Sequence, residues 1–273
     1  MTQWITQRMT TCRSWRMACL LGSLAVLAAL SAGAVADTGA PPAAIVAQWR
    51  GEYRSETLSD GALQGMERFI LTRHPDGSRS LQMQADLRSR GSLFDVSLRV
   101  DADFRPVTAF ATYWTAGLLK GSGHFEIEGD ALRATSRGPL SGSQSRATAV
   151  PARFSLGAHP VSGDGWHTAH YDVTKGGVQT LNLYSIDAGA DRSKPVLGAL
   201  LPLSVEYLGE ETVTVPAGTF RAQRFRLAGL NDLWVHGPDR WVVKSELPRR
   251  GIRYVLVTLA REGEAIQQPE QQR

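Results

Sequence analysis

The feature that most constrains the fold is a long series of short segments with strand character, separated by turn residues. No convincing long helix follows residue 50. Residues 80–87 show the pattern clearly, because apolar and polar side chains alternate and a strand places them on opposite faces. The spacing of the segments predicts about a dozen short strands at intervals of roughly 10–15 residues.

A meander with this many strands would expose long edges if it were flat. The sequence therefore predicts an all-β fold, as a strongly curled antiparallel sheet or a partly closed barrel. Two stretches interrupt the pattern. Residues 138–147 (GPLSGSQSRA) are expected to form a Gly/Ser loop, and residues 155–177 a long loop with room for a short helix around Asp164–Tyr171.

The first 36 residues have the pattern of a cleavable export signal. Three arginines and no acidic residue precede the apolar stretch Met17–Leu30, and small residues follow, with Ala34, Val35 and Ala36 matching the A-x-A cleavage pattern. The apolar stretch is shorter than the roughly 20 residues that span a bilayer, which disfavours an uncleaved anchor. We expect cleavage after Ala36 and a periplasmic mature protein, with no stable membrane insertion after cleavage.

Removal of the leader changes the composition of the chain. Both cysteines lie in the leader, so the mature chain has no disulfide, thiolate nucleophile or Cys-ligated metal. Three of the four excess positive charges also lie there, which leaves a net charge near +1 and argues against nucleic acid as a partner. We expect a flexible tether at 37–48, a single domain at 49–263, a flexible tail at 264–273, and no cofactor.

The C-terminal part of the chain carries a recognisable pattern. Residues 211–259 read ETVTVPAGTFRAQRFRL, then NDLWVHGPDRWVVKSEL, then RYVLVTL. This segment resembles the C-terminal half of the DUF3108 family of exported bacterial proteins, which carry a V-P-A-G-T-F turn between strands and then a Trp-containing hairpin. The matching residues are Val215, Pro216, Ala217, Gly218, Thr219, Phe220, Trp234, Asp239 and Glu246.

The resemblance implies a fold more than an activity. The strand order is similar to the half-barrel of periplasmic lipoprotein carriers, whose concave face holds acyl chains, and this remains an analogy of fold. The turn also has a simple physical explanation, because Pro216 fixes φ at the first corner position and Gly218 accepts a positive φ.

The strongest polar cluster lies in AHPVSGDGWHTAHYD, residues 158–172. His167 and His170 are three residues apart and would share one face of a helical turn, and Asp164 could orient a histidine for acid–base catalysis. The same residues fit two alternatives, a solvated loop of polar turn residues and a His pair that binds a metal. No HExxH motif is present, and we assign no metal ligand.

These observations support three functional hypotheses. The first is a periplasmic protein that binds or carries a small apolar or lipid-like molecule in the concave face of the curled sheet, with residues 155–177 as a rim or lid. The second is an isomerase, hydratase or hydrolase that acts on a hydrophobic substrate through His167, His170 and Asp164. The third is an envelope assembly factor with another envelope protein as its partner. The candidate ligand-binding residues are His159, Trp166, Tyr113, Trp114 and Trp234.

Overall fold

The computed structural model describes residues 45–262; the predicted leader, most of the predicted tether and the predicted tail lie outside this range. Within it the chain forms fifteen strands and three 3₁₀ helices. The first eight strands are β1 (Ala47–Thr57), β2 (Leu63–Arg73), β3 (Arg79–Leu87), β4 (Ser92–Val100), β5 (Pro106–Thr115), β6 (Leu118–Glu128), β7 (Ala131–Gly138) and β8 (Gly142–Ala149). The others are β9 (Ser155–Gly157), β10 (Val178–Ile186), β11 (Gly198–Val215), β12 (Gly218–Leu227), β13 (Asn231–His236), β14 (Trp241–Leu247) and β15 (Ile252–Arg261).

The 3₁₀ helices are Arg88–Arg90, Val161–Thr168 and Pro248–Arg250. No helix among residues 45–262 has the length and apolar character needed to cross a membrane.

All strands belong to one sheet with the order β8-β7-β6-β5-β4-β3-β2-β1-β15-β14-β13-β12-β11-β10-β9. The first and last strands, β1 and β15, pair in its middle, and a meander runs outward from each of them. Every pairing is antiparallel except that of β9 with β10. The sheet is not closed, because β8 and β9 remain its two edges. The prediction of an all-β fold built on an open antiparallel sheet is confirmed.

Two details differ from the sequence-based expectation. The expected Gly/Ser loop at 138–147 is largely strand, because β8 pairs with β7 along its whole length. Its residues are small or polar and, apart from half-buried Thr148, exposed on both faces, so the hydrophobic alternation that reveals other strands is missing. In addition, β1 begins at Ala47, two residues inside the range expected to be a flexible tether.

The turn between β11 and β12 has the expected geometry. β11 ends at Val215 and β12 begins at Gly218, so Pro216 and Ala217 form the corner. Gly218 has a φ of 135°, a conformation that favours glycine.

The interior of the curled sheet is filled by residues 158–171, which we call the plug. This segment contains the 3₁₀ helix Val161–Thr168, in which only Asp164 is not fully buried. At one end Gly163 lies over Leu81 and Met83 of β3. At the other end Tyr171 packs edge-on against Phe225 of β12, with ring centroids 5.6 Å apart. The plug therefore joins the two meanders and supplies the apolar contacts that a covering helix provides in other sheets.

The close fit of the plug predicts a large difference between two glycines. A Cβ added at Gly165 would lie 2.1 Å from the backbone oxygen of Arg240, whereas one at Gly163 would lie 3.6 Å from Met83 Sδ, an ordinary contact distance. We expect Gly165→Ala to lower the free energy of unfolding by about 1–3 kcal/mol through overpacking. Urea unfolding is the measurement and Gly163→Ala the control. Equal stabilities for the two variants would contradict the packing described.

Candidate functional site

The first part of the site is a carboxylate that holds the start of the plug. Glu67 of β2 points into the interior and accepts hydrogen bonds from the backbone N–H groups of Val161 at 2.7 Å and Ser162 at 2.8 Å. These N–H groups begin a 3₁₀ helix and have no partner within it, so a carboxylate is well placed to satisfy them. Burial raises the pKa of Glu67 to about 7, although the donors from Ser162 and Val161 oppose that rise.

The second part is a chain of polar groups along the plug. Asp164 Oδ1 lies 3.5 Å from His167 Nε2, and His167 Nδ1 lies 3.1 Å from Ser155 Oγ on β9. Asn231 of β13 donates from Nδ2 to Asp164 Oδ2 at 3.1 Å and to Ser245 Oγ at the same distance. Ser155 and His167 are both buried. This Ser–His–Asp chain joins the plug to β9 through Ser155 and to β13 through Asn231. While the plug is in place, a substrate cannot reach the buried Ser155 and His167.

His170 does not join this chain. The 3₁₀ helix ends at Thr168, so His167 and His170 do not share the helical face that the sequence predicted. Burial lowers the pKa of His170, and its ring lies near the backbone of Phe154. Of the three predicted catalytic residues, only Asp164 and His167 are brought together. Within residues 45–262 no group of three or more His, Cys, Asp or Glu side chains is arranged to hold a metal.

The predicted aromatic residues fall on two faces of the sheet. Trp166 is buried in the plug and donates from Nε1 to the backbone oxygen of Asp239 at 3.2 Å. Tyr113 is buried on the inner face, and its hydroxyl donates to the backbone oxygen of Ala158 at 2.9 Å. Trp114 follows Tyr113 directly in β5, and adjacent strand residues point to opposite faces, so these two side chains cannot line the same cavity.

Trp234 also lies on the outer face. It stands between Arg224 and Lys244 on the neighbouring strands, with Lys244 Nζ 3.8 Å from its ring centroid. Its Nε1 donates to Glu211 Oε2 at 2.9 Å. Trp234 is thus buried beneath charged side chains on the outer face and is not open to a ligand in the hollow of the sheet.

The plug occupies the hollow that was expected to receive a ligand, so residues 155–177 are no rim or lid over an empty interior. A cavity of about 760 Å³ lies instead on the outer face over strands β15 and β1–β5. We call it the outer groove. Its outward-pointing lining residues are Arg50, Glu52, Arg68, Ile70, Gln82, Gln84, Asp95, Ser97, Phe110, Thr258 and Ala260.

One cross-strand row gives the outer groove its shape. In register across β1 to β5 the row reads Arg50, Ile70, Gln82, Ser97 and Phe110. It continues onto β6–β8 through a second cavity of about 420 Å³, which shares Phe110 with the first. The Phe110 side chain is 50% exposed at the point where the two cavities meet. An aromatic ring in that position offers an apolar surface to a bound molecule.

The next cross-strand row of the outer groove is polar, and its side chains form hydrogen bonds mainly with each other. Arg68 Nε donates to Glu52 Oε1 at 2.7 Å, and Gln84 Nε2 donates to Asp95 Oδ1 at 2.9 Å. The charges of Arg68 and Glu52 offset each other, and Asp95 is hydrogen-bonded by the neutral amide of Gln84. The groove therefore offers the apolar side chains of Ile70 and Phe110 beside a polar row whose groups bond to each other. This arrangement suits a neutral or weakly polar molecule with a long apolar part.

Sequence reasoning missed Glu67 and did not include Phe110 among the candidate ligand-binding residues, although both carry a signal. In the strand sequence MERFILT, Glu67 is two residues from Phe69 and four from Leu71, so all three side chains point to the inner face of the sheet. A carboxylate on that face requires buried partners. Phe110 points to the same outer face of β5 as Thr108 and Thr112, where polar residues are usual.

No protein-family model matches the chain, and no curated protein sequence matches it. Among solved structures it is similar to a β-barrel-like protein of the domain of unknown function DUF1849 from Brucella abortus, with 8% identity and a TM-score of 0.49 over 80% of this chain and 98% of that one. It is also similar to a DUF1089 family protein from Pseudomonas aeruginosa, with 14% identity and a TM-score of 0.36 over 67% of this chain and 88% of that one. The strand order defines the chain as an all-β domain built on one open, largely antiparallel sheet.

The raised pKa of Glu67 predicts a specific pH dependence of stability. Its folded value of about 7 exceeds the ordinary value of 4.5, so its favourable contribution is complete below pH 4.5 and is lost as the pH rises through 7. We expect the free energy of unfolding of the wild type to fall by about 3 kcal/mol relative to Glu67→Gln across that interval. Urea titrations of both proteins from pH 4 to pH 8 measure the difference. Parallel profiles would show that Glu67 does not titrate in this range.

Proposed function

We propose that this protein is an exported, periplasmic binding module that holds a small apolar or lipid-like molecule in the outer groove. The observation that carries the proposal is the half-exposed Phe110 at the junction of two cavities on one cross-strand row. A volume of about 760 Å³ falls within the range of cavities that bind small organic ligands.

The architecture supports a binding role in a second way. The plug fills the inner face of the sheet, so the core does not depend on a bound molecule for its packing. The outer groove is then free to exchange its ligand without unfolding the domain. This proposal moves the ligand from the concave face, where the sequence placed it, to the opposite face.

The export and the family relationship are parts of the same proposal. The leader pattern at residues 1–36 supports secretion to the periplasm. The turn and hairpin residues in 211–259 support a distant relationship to the DUF3108 family of exported proteins. In that compartment apolar molecules need a protein surface that shields them from water, which is the property of the outer groove.

Substitution of Phe110 in the outer groove tests the proposal. The neutral dye N-phenyl-1-naphthylamine, which fluoresces in apolar surroundings, is titrated into the mature chain. Loss of one aromatic contact and introduction of a charge in Phe110→Asp are expected to weaken dye affinity by about tenfold or more. An unchanged affinity, or no dye binding by the wild type, would refute binding in the outer groove.

Leu140→Asp is the matched control. Leu140 is another exposed apolar side chain, in the turn between β7 and β8, and it lines neither cavity. It is expected to bind the dye like the wild type. An equal loss in Leu140→Asp and Phe110→Asp would show that the dye follows general surface hydrophobicity and would count against the proposal.

A further inference from the structure

A third cavity lies where the two halves of the open sheet approach each other. It has a volume of about 580 Å³ and lies between Arg146 of edge strand β8 and the segment that joins β10 to β11. We call it the seam cavity. Its residues belong neither to the outer groove nor to the second cavity that shares Phe110.

The walls of the seam cavity are fixed from both halves of the sheet. The Lys120 side chain of β6 is fully buried, and its Nζ donates to the backbone oxygens of Gly189 at 2.8 Å and Asp191 at 2.9 Å. The backbone N–H of Val196 donates to Ser136 Oγ of β7 at 2.8 Å. These buried hydrogen bonds hold the segment between β10 and β11 in place, so the shape of the cavity is fixed by the fold.

Basic side chains outnumber acidic ones around the seam cavity. Arg146 and Lys194 both line it. Arg146 uses one of its five N–H donors in a hydrogen bond to the backbone oxygen of Gly198, at 3.2 Å. Asp187 is the acidic residue in the lining, and its Oδ1 lies 3.5 Å from the buried Lys120 Nζ. Because Lys120 offsets the charge of Asp187, the cavity keeps an excess of positive charge.

The backbone of His159, at the seam cavity, is in a strained conformation. It has a φ of 78°, which is uncommon for a residue with a Cβ. Its Nε2 donates to the backbone oxygen of Ile186, and its ring packs 6.1 Å from that of Tyr113. His159 also lines the cavity. Strained residues of this kind persist where the surroundings fix them, often at ligand sites.

Aliphatic side chains also line the seam cavity. Leu197 is buried, whereas Leu201 of β11 is exposed. A bound molecule would therefore meet both cationic groups and aliphatic side chains.

We propose that the seam cavity binds a small organic anion with a short aliphatic chain, such as a medium-chain carboxylate. The carboxylate lies between Arg146 and Lys194, where charge-assisted hydrogen bonds are available. The aliphatic chain lies along Leu197 and Leu201. This site is separate from the outer groove and does not depend on the function proposed for it.

Titration of the ¹⁵N-labelled mature chain with octanoate at pH 7.5 tests the proposal, with octan-1-ol as the neutral probe of equal chain length. Octanoate is expected to shift the amide resonances of residues 185–189 and 197–201 and to bind at least about tenfold more tightly than octan-1-ol. Equal affinity for the two probes, no octanoate binding, or shifts confined to the outer groove would overturn the proposal.

Two variants and a control test whether octanoate binds in the seam cavity. Arg146→Gln and Lys194→Gln are each expected to weaken octanoate binding by about tenfold. Lys194 is exposed, so its substitution keeps the test valid if Arg146→Gln unfolds. Arg133→Gln, on neighbouring strand β7 and paired with Glu128, is the control and is expected to bind octanoate like the wild type. Wild-type affinity in Lys194→Gln, or loss of binding in Phe110→Asp, would overturn the assignment.

Discussion

The rest of the structure depends on the burial of the plug against the inner face of the sheet. A fifteen-stranded open sheet has no second layer of its own, and a sheet must bury one face to be stable. The 3₁₀ helix Val161–Thr168 provides that layer, and Glu67 satisfies the two N–H groups at its start. At the other end Asp239 joins the plug to β3. Its backbone oxygen accepts a hydrogen bond from Trp166 Nε1 of the plug, and its carboxylate accepts one from Arg79 Nε of β3 at 2.9 Å.

The position of the plug decides where a ligand can bind. The inner face is occupied by the chain itself, whereas the outer groove, the second cavity that shares Phe110 and the seam cavity remain accessible. The outer groove and the seam cavity differ in chemistry, because the outer groove combines Ile70 and Phe110 with a polar row, and the seam cavity is lined by more basic than acidic side chains. The same arrangement buries Ser155 and His167 and leaves the Asp164 side chain 21% exposed, and their hydrogen-bonded chain is a structural element of the plug in this conformation.

Local patterns in the sequence predict the strands well, because the two-residue alternation of a strand is visible within a few residues. Leu81, Met83 and Ala85 were expected on one face and are all buried there. The plug could not be predicted in this way, since its main contact joins Glu67 to Val161 across 94 positions. For the same reason Asp164 and His167 were correctly grouped by sequence proximity, whereas Ser155 and Asn231, which complete their network, come from separate strands. Strand β8 was missed because its Gly- and Ser-rich sequence carries no hydrophobic alternation.

The central claim is that an apolar ligand binds on the outer face of the sheet while the plug stays in place. A crystal structure with a brominated long-chain alcohol tests it most directly, because anomalous scattering locates the bromine independently of the protein. The account predicts bromine beside Ile70 and Phe110, with the hydrogen bonds from Val161 and Ser162 to Glu67 intact. Bromine on the inner face beside Leu81 and Met83, with the plug displaced, would contradict it.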